Sequence, residues 1–168
     1  MTSRLFLHLT LISWVCWSAT ISQAQQEFRI SKLTNVDREF MAQQRTLLQD
    51  LAARNLGRQF QGQRDRDLDL LQSLLDKRVV RPEQTRELQA MGLIMGDLLA
   101  TELDMHWVIY EDRVGRSRAL RYKESDDFLF PMTMISRRRE ADNRARVADI
   151  YQKAYDIIAE RKPALPFQ

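Results

Sequence analysis

The stretch HWVIYEDRVGRSRALRY, His106 to Tyr122, decides the fold. Its period is two. Met105, Trp107 and Ile109 point to one side of a strand, and His106, Val108 and Tyr110 to the other. The segment DRVG suits a type I turn, with Asp112 first and Gly115 fourth, where glycine tolerates a left-handed backbone. SRALRY then returns as the partner strand, with Leu120 and Tyr122 on one face. These residues predict a β-hairpin, to which Phe128 to Phe130 can add a third short strand.

Helical spacing surrounds the hairpin. Upstream, Asn35 or Asp37 can cap a helix running to about Phe60, with Phe40, Leu47, Leu48, Leu51 and Leu56 along it. DRDLDLLQSLLDKRVV reads as a second helix, acidic in its first turn and basic in its last, with a stripe of Leu68, Leu71, Leu74 and Leu75. Pro82 is expected to open a third helix, whose buried side carries Leu88, Met91, Met95, Leu98 and Leu99. Gly92 and Gly96 share one face there, the mark of a close backbone approach. Asp97 beside them argues against a lipid contact. Downstream, Pro131 starts a helix, and another carries Val147, Ile150, Tyr151, Ala154, Ile157 and Ile158. The expected class is α+β: three N-terminal helices, a small antiparallel sheet, and one or two C-terminal helices.

The N-terminus has the three-part form of a secretory signal peptide. Arg4 is followed by an apolar run from Leu5 to Ile21, then by Ser22 and Ala24 at the small-residue positions of a cleavage site. Cleavage is expected after Ala24, which predicts a periplasmic or secreted product with no remaining transmembrane span. The chain divides into a signal peptide (1–24), a flexible lead-in (25–34), one domain (35–162) and a tail (163–168). The single cysteine, Cys16, lies in the signal segment, so the mature chain has no thiolate to bind a metal or attack a substrate. Losing Arg4 lowers the formal net charge of +3 by one, which demands no polyanionic partner.

The remaining residues offer little catalytic chemistry. His106 is the only histidine of the mature chain, and a lone strand histidine lacks the helpers of a nucleophile or metal site. DRDLDLLQSLLD has acids at calcium-loop spacing, but Leu70 occupies the position that needs glycine, and the leucines continue a helix. No serine stands in a nucleophile elbow and no glycine-rich phosphate loop follows a strand. The arginines of SRRREADNRAR read as a solvated face. No catalytic residue, metal or cofactor is assigned, and no nucleic-acid partner is expected.

RELQAMGLIMGDLLATEL, then WVIYEDRVGRSRALRY, then LFPMTMISRR give the region from about Leu51 to Asp149 its likeness. In their order and spacing it resembles a bacterial exported-protein family, the domain-of-unknown-function family thirty-eight hundred and six. The resemblance implies a small exported or cell-envelope protein and brings no known reaction.

The expected function is that of an exported, non-enzymatic interaction protein of the bacterial cell envelope. Its partner would be an envelope protein or an anionic envelope component. One alternative is a hydrolase acting on envelope polymer through Glu111, Glu102 or Asp97. Another is a periplasmic immunity-type protein that binds a toxin. The hairpin is chiefly structural, yet alternation and turn do not account for Glu111, Arg116 and Arg121. The candidate binding residues are Tyr110, Glu111, Arg116 and Arg121, with Arg121 expected to approach Glu111 across the ladder.

Overall fold

The computed structural model describes residues 28–161. Their order is β1 (Arg29–Lys32), α1 (Asn35–Leu56), α2 (Arg64–Asp76), α3 (Thr85–Leu103), β2 (Met105–Glu111), β3 (Arg116–Tyr122), β4 (Phe128–Leu129), α4 (Pro131–Glu140) and α5 (Val147–Ala159). The expected signal peptide, the cut after Ala24 and the tail 163–168 lie outside the described residues. The class is α+β, with one antiparallel sheet in the order β1-β2-β3-β4.

The order of elements corrects the expectation of three leading helices. β1 comes first, inside what reads as a flexible lead-in, and pairs with β2 from Arg29 opposite Glu111 to Lys32 opposite Val108. It is an edge strand with Arg29, Ser31 and Lys32 exposed, so it is held by main-chain bonds and leaves no apolar period to read. Basic side chains on such an edge discourage further pairing.

Helix ends differ in detail. Thr34, rather than Asn35 or Asp37, caps α1. Its hydroxyl accepts from the Asp37 N–H at 3.2 Å, and its own N–H donates to the Asp37 carboxylate at 3.0 Å. This is a reciprocal capping box. Gly57, at φ 61°, stops the helix short of Phe60. Pro82 lies in a turn closed from Gln84 N–H to the Arg81 carbonyl, and α3 begins only at Thr85. In α2, Asp67 does more than favour the helix dipole. It is buried, and its carboxylate accepts from the main-chain N–H groups of Gln61 and Gly62.

α3 is buried on nearly every side and forms the centre of the core, against α1, α2, α4, α5 and the sheet. Its two glycines set how close its neighbours come. A Cβ on Gly92 would strike the main chain of Pro131 and Met132, and one on Gly96 would lie 2.7 Å from the Trp107 ring and 2.9 Å from the Pro131 ring. The start of α4 is thereby seated directly on α3, as the spacing of the two glycines implies.

β2 places Ile109 in the core at 2% exposure. Trp107 is half-buried, because its indole N–H reaches out to Asp97 Oδ1 at 3.0 Å. Asp97 also receives Arg45 in a two-pronged pair at 2.7 and 2.8 Å. The ring packs on the core, while its polar edge belongs to the rim.

Candidate functional site

A cleft among the described residues opens where the sheet stops short. β3 pairs with β2 along its whole length, but β4 covers only Leu120 and Arg121. In an antiparallel ladder, alternate residues send their main-chain groups to opposite sides. The Tyr122 N–H donates to the Asp127 carbonyl on the β4 side, and the Asp112 N–H donates to the Gly115 carbonyl within the hairpin. By that alternation Leu120, Arg118 and Arg116 face outward, while Ser117, Ala119 and Arg121 face β2. Leu120 is met by Leu129. The next outward residue, Arg118, would need a partner at Pro131, which has no N–H and already belongs to α4. The edge of β3 at Arg116 and Arg118 therefore has no strand beside it among the described residues.

A cleft of about 500 Å³ lies along this edge. One wall is the hairpin, from Asp112 through Val114 to Arg118. The other carries Phe130, Met132, Thr133 and Arg137, with Gln89 of α3 below. Gly92 fixes the second wall, since it admits the main chain of Pro131 and Met132. Tyr110 lines the cleft as part of an aromatic group. Its ring stacks on Phe28 at 5.2 Å and meets Phe128 and Phe130 edge-on at 5.1 and 5.3 Å.

The basic side of the cleft is held from α1. Arg116 donates to Asp37 Oδ2 at 2.6 Å, and Arg118 lies 2.9 Å from Asp37 Oδ1. Asp37 is 1% exposed, whereas Arg116, which reaches it, is 43% exposed. The Arg116 hydrogen bond holds the Asp37 carboxyl well below the usual carboxylate range. Burial opposes this, and the Thr34 hydrogen bonds reinforce it. The same contact raises Arg116. The Arg118 guanidinium carbon lies over the Phe40 ring, 4.2 Å from its centroid, and its enclosed Nε donates to nothing. Two guanidiniums thus share one carboxylate. Arg137 adds a third, exposed and without a hydrogen bond or ion pair among the described residues. The lining is net positive beside aromatic rings, which suits recognition of an anionic ligand with an apolar part.

Of the four candidate residues, Tyr110 and Arg116 meet in this cleft. Glu111 is exposed at the end of β2, opposite Arg116 on one side and Arg29 on the other. The expected approach of Arg121 to Glu111 does not occur. Arg121 stands opposite His106, and its guanidinium binds Glu124 and the carbonyls of Glu124 and Ser125. It pins the β3–β4 turn. The register explains the error: Glu111 and Arg121 share a hairpin but lie five rungs apart along β2. Sequence reasoning missed Arg118, Arg137, Phe130 and the anchoring Asp37. Same-face alternation with Arg116 could have found Arg118. Nothing local signals Asp37.

The carboxylates of the hydrolase alternative are spread out. Asp97 is engaged by Arg45 and Trp107, and Glu102 lies 3.4 Å from Arg64. Among the described residues no group of three or more His, Cys, Asp or Glu side chains could hold a metal ion. No described helix is long and apolar enough to cross a membrane.

Comparison with known proteins adds a family and a fold. The family model described as "Domain of unknown function (DUF3806)" matches residues 67–151, just over half of the chain and every residue that lines the cleft. A crystal structure from Bacteroides thetaiotaomicron VPI-5482, at 1.50 Å resolution, superposes with a TM-score of 0.69 at 21% identity. The match covers 77% of this chain and 47% of that one, so the chain spans less than half the length of that relative. At this identity the likeness is one of fold. No curated protein matches.

Proposed function

Since the chain belongs to the family of unknown function DUF3806, whose description names no reaction, we propose its role from the geometry: it is an exported, non-enzymatic interaction protein of the bacterial cell envelope. The observation that carries this reading is the open cleft of about 500 Å³, lined by Tyr110, Phe130, Arg116, Arg118 and the unpaired Arg137. Tyrosine and arginine are among the side chains enriched at the hot spots of protein interfaces. The one carboxyl with a strongly displaced pKa among the described residues, Asp37, is displaced toward permanent charge, which suits anchoring rather than proton transfer. Export rests on the tripartite N-terminus.

Two measurements on the native organism test it. Mass spectrometry of the periplasmic fraction should find an N-terminus at Gln25. Crosslinking in intact cells should join the protein to an envelope component. Arg137→Glu should abolish that crosslink, and Lys153→Glu, on exposed α5 surface, should leave it intact. A cytoplasmic full-length chain, or a crosslink indifferent to Arg137→Glu, would overturn the reading.

A further inference from the structure

We infer that the cleft binds an extended acidic peptide segment as an added strand on the free edge of β3, an inference that rests on reading the cleft as the recognition surface. Three observations meet there. First, Arg116 and Arg118 turn their main-chain N–H and C=O groups to a side that β4 does not reach, because Pro131 cannot continue the ladder. Unpaired strand edges are templates for a further strand. Second, this edge is walled rather than bare. α4 stands across it with Phe130, Met132, Thr133 and Arg137, which makes a groove and not a flat rim. Third, the lining is net positive: Arg116, Arg118 and Arg137 outnumber the single carboxylate Asp112. Asp37 is shared by Arg116 and Arg118, Glu111 lies opposite Arg116, and the Arg137 guanidinium has no partner among the described residues.

The faces of the sheet then specify the peptide. Arg116 and Arg118 lie on the face shared with Trp107 and Ile109, whereas Ser117 and Tyr110 lie on the other. A strand placed beside β3 alternates in the same way. Its residues on the first face meet guanidiniums and are acidic. Those on the second lie near Tyr110 and Phe130 across the small Ser117, and are apolar. The partner is therefore an alternating acidic–apolar segment, bound by main-chain bonds for affinity and by arginines for choice.

The probes are four octapeptides: one alternating glutamate and valine, its lysine–valine counterpart, and two versions of the glutamate peptide methylated on every second amide nitrogen, one for each register. They are titrated into isotope-labelled full-length protein and followed by amide resonances and hydrogen exchange. The glutamate peptide should bind, perturb Arg116, Ser117 and Arg118, and slow exchange of the Arg116 and Arg118 amides. The lysine peptide should not bind, and one methylated register should lose binding. Arg137→Glu should weaken the glutamate peptide about tenfold while leaving the protein's own spectrum intact. Absence of binding by the glutamate peptide overturns the inference. So does binding with fast-exchanging Arg116 and Arg118 amides, which would leave the cleft an anion site without strand addition. Protection of those amides that grows with protein concentration alone would assign the edge to a second copy of the chain, and also overturns it. The in-cell crosslink reports on the broader reading independently of all three results.

Discussion

Asp37 Oδ2 lies 2.6 Å from Arg116 Nη2, joining positions 79 residues apart. The carboxylate completes the capping box of α1 and, through Arg116 and Arg118, ties that helix end to the strand bordering the cleft. One side chain thus serves helix, sheet and site. Asp37→Ala should lower stability by about 2 kcal/mol, below the usual figure for a fully buried pair because the arginines can turn to solvent. Denaturant unfolding should show a lower midpoint with an unchanged slope. A loss under about 0.5 kcal/mol would mean that the pair is an exposed one of the ordinary kind.

The same contact predicts the sign of an acid effect. The folded Asp37 carboxyl titrates well below its unfolded value, which lies near 3.9. Its contribution is fully present above the unfolded value and is lost as pH falls through the folded one. The stability gap between the native chain and Asp37→Asn should be flat from about pH 5.5 to 8 and shrink below about pH 4. A gap that widens on acidification would contradict the assignment.

Gly92→Ala should destabilise by about 1–3 kcal/mol despite alanine's better helix propensity, because the methyl meets the main chain of Pro131 and Met132 rather than a flexible tip. Gly96→Ala should cost less, since its nearest contact, the Trp107 ring, is a side chain that can shift, and none of its nearest contacts is a main-chain atom. Calorimetry of both variants checks the order. Equal or reversed losses would show that α4 is not seated on Gly92.

Trp107 separates packing from hydrogen bonding. Trp107→Phe removes the N–H to Asp97 and should cost about 1–2 kcal/mol, whereas Trp107→Ala also removes the ring and should cost about 2–4 kcal/mol. Arg45 keeps the Asp97 carboxylate paired in both. Equal losses in the two variants would assign the whole effect to the hydrogen bond.

What the sequence made legible is local. The hairpin followed from period-two alternation and from DRVG, and the glycine pair of α3 announced a close contact that Pro131 and Trp107 fill. β1 stayed hidden because its four residues bury almost nothing. The pairing of Glu111 with Arg121 failed because both lie on one hairpin but on distant rungs, a matter of register rather than composition. Asp37 could not be matched to Arg116 and Arg118 before α1 was folded over the sheet. Pro131 was readable as a helix start. Its second effect, ending the ladder and opening the edge of β3, depends on knowing that β4 precedes it.

The openness of that edge is the premise on which recognition at the cleft stands, and two neighbouring amides measure it. Ala119 faces Val108 within the ladder, and Arg118 faces the cleft. In the free, dilute protein, the Arg118 amide should exchange with solvent at least about a hundredfold faster than that of Ala119. Equal protection of the two would mean that something already occupies the edge, and would contradict the account.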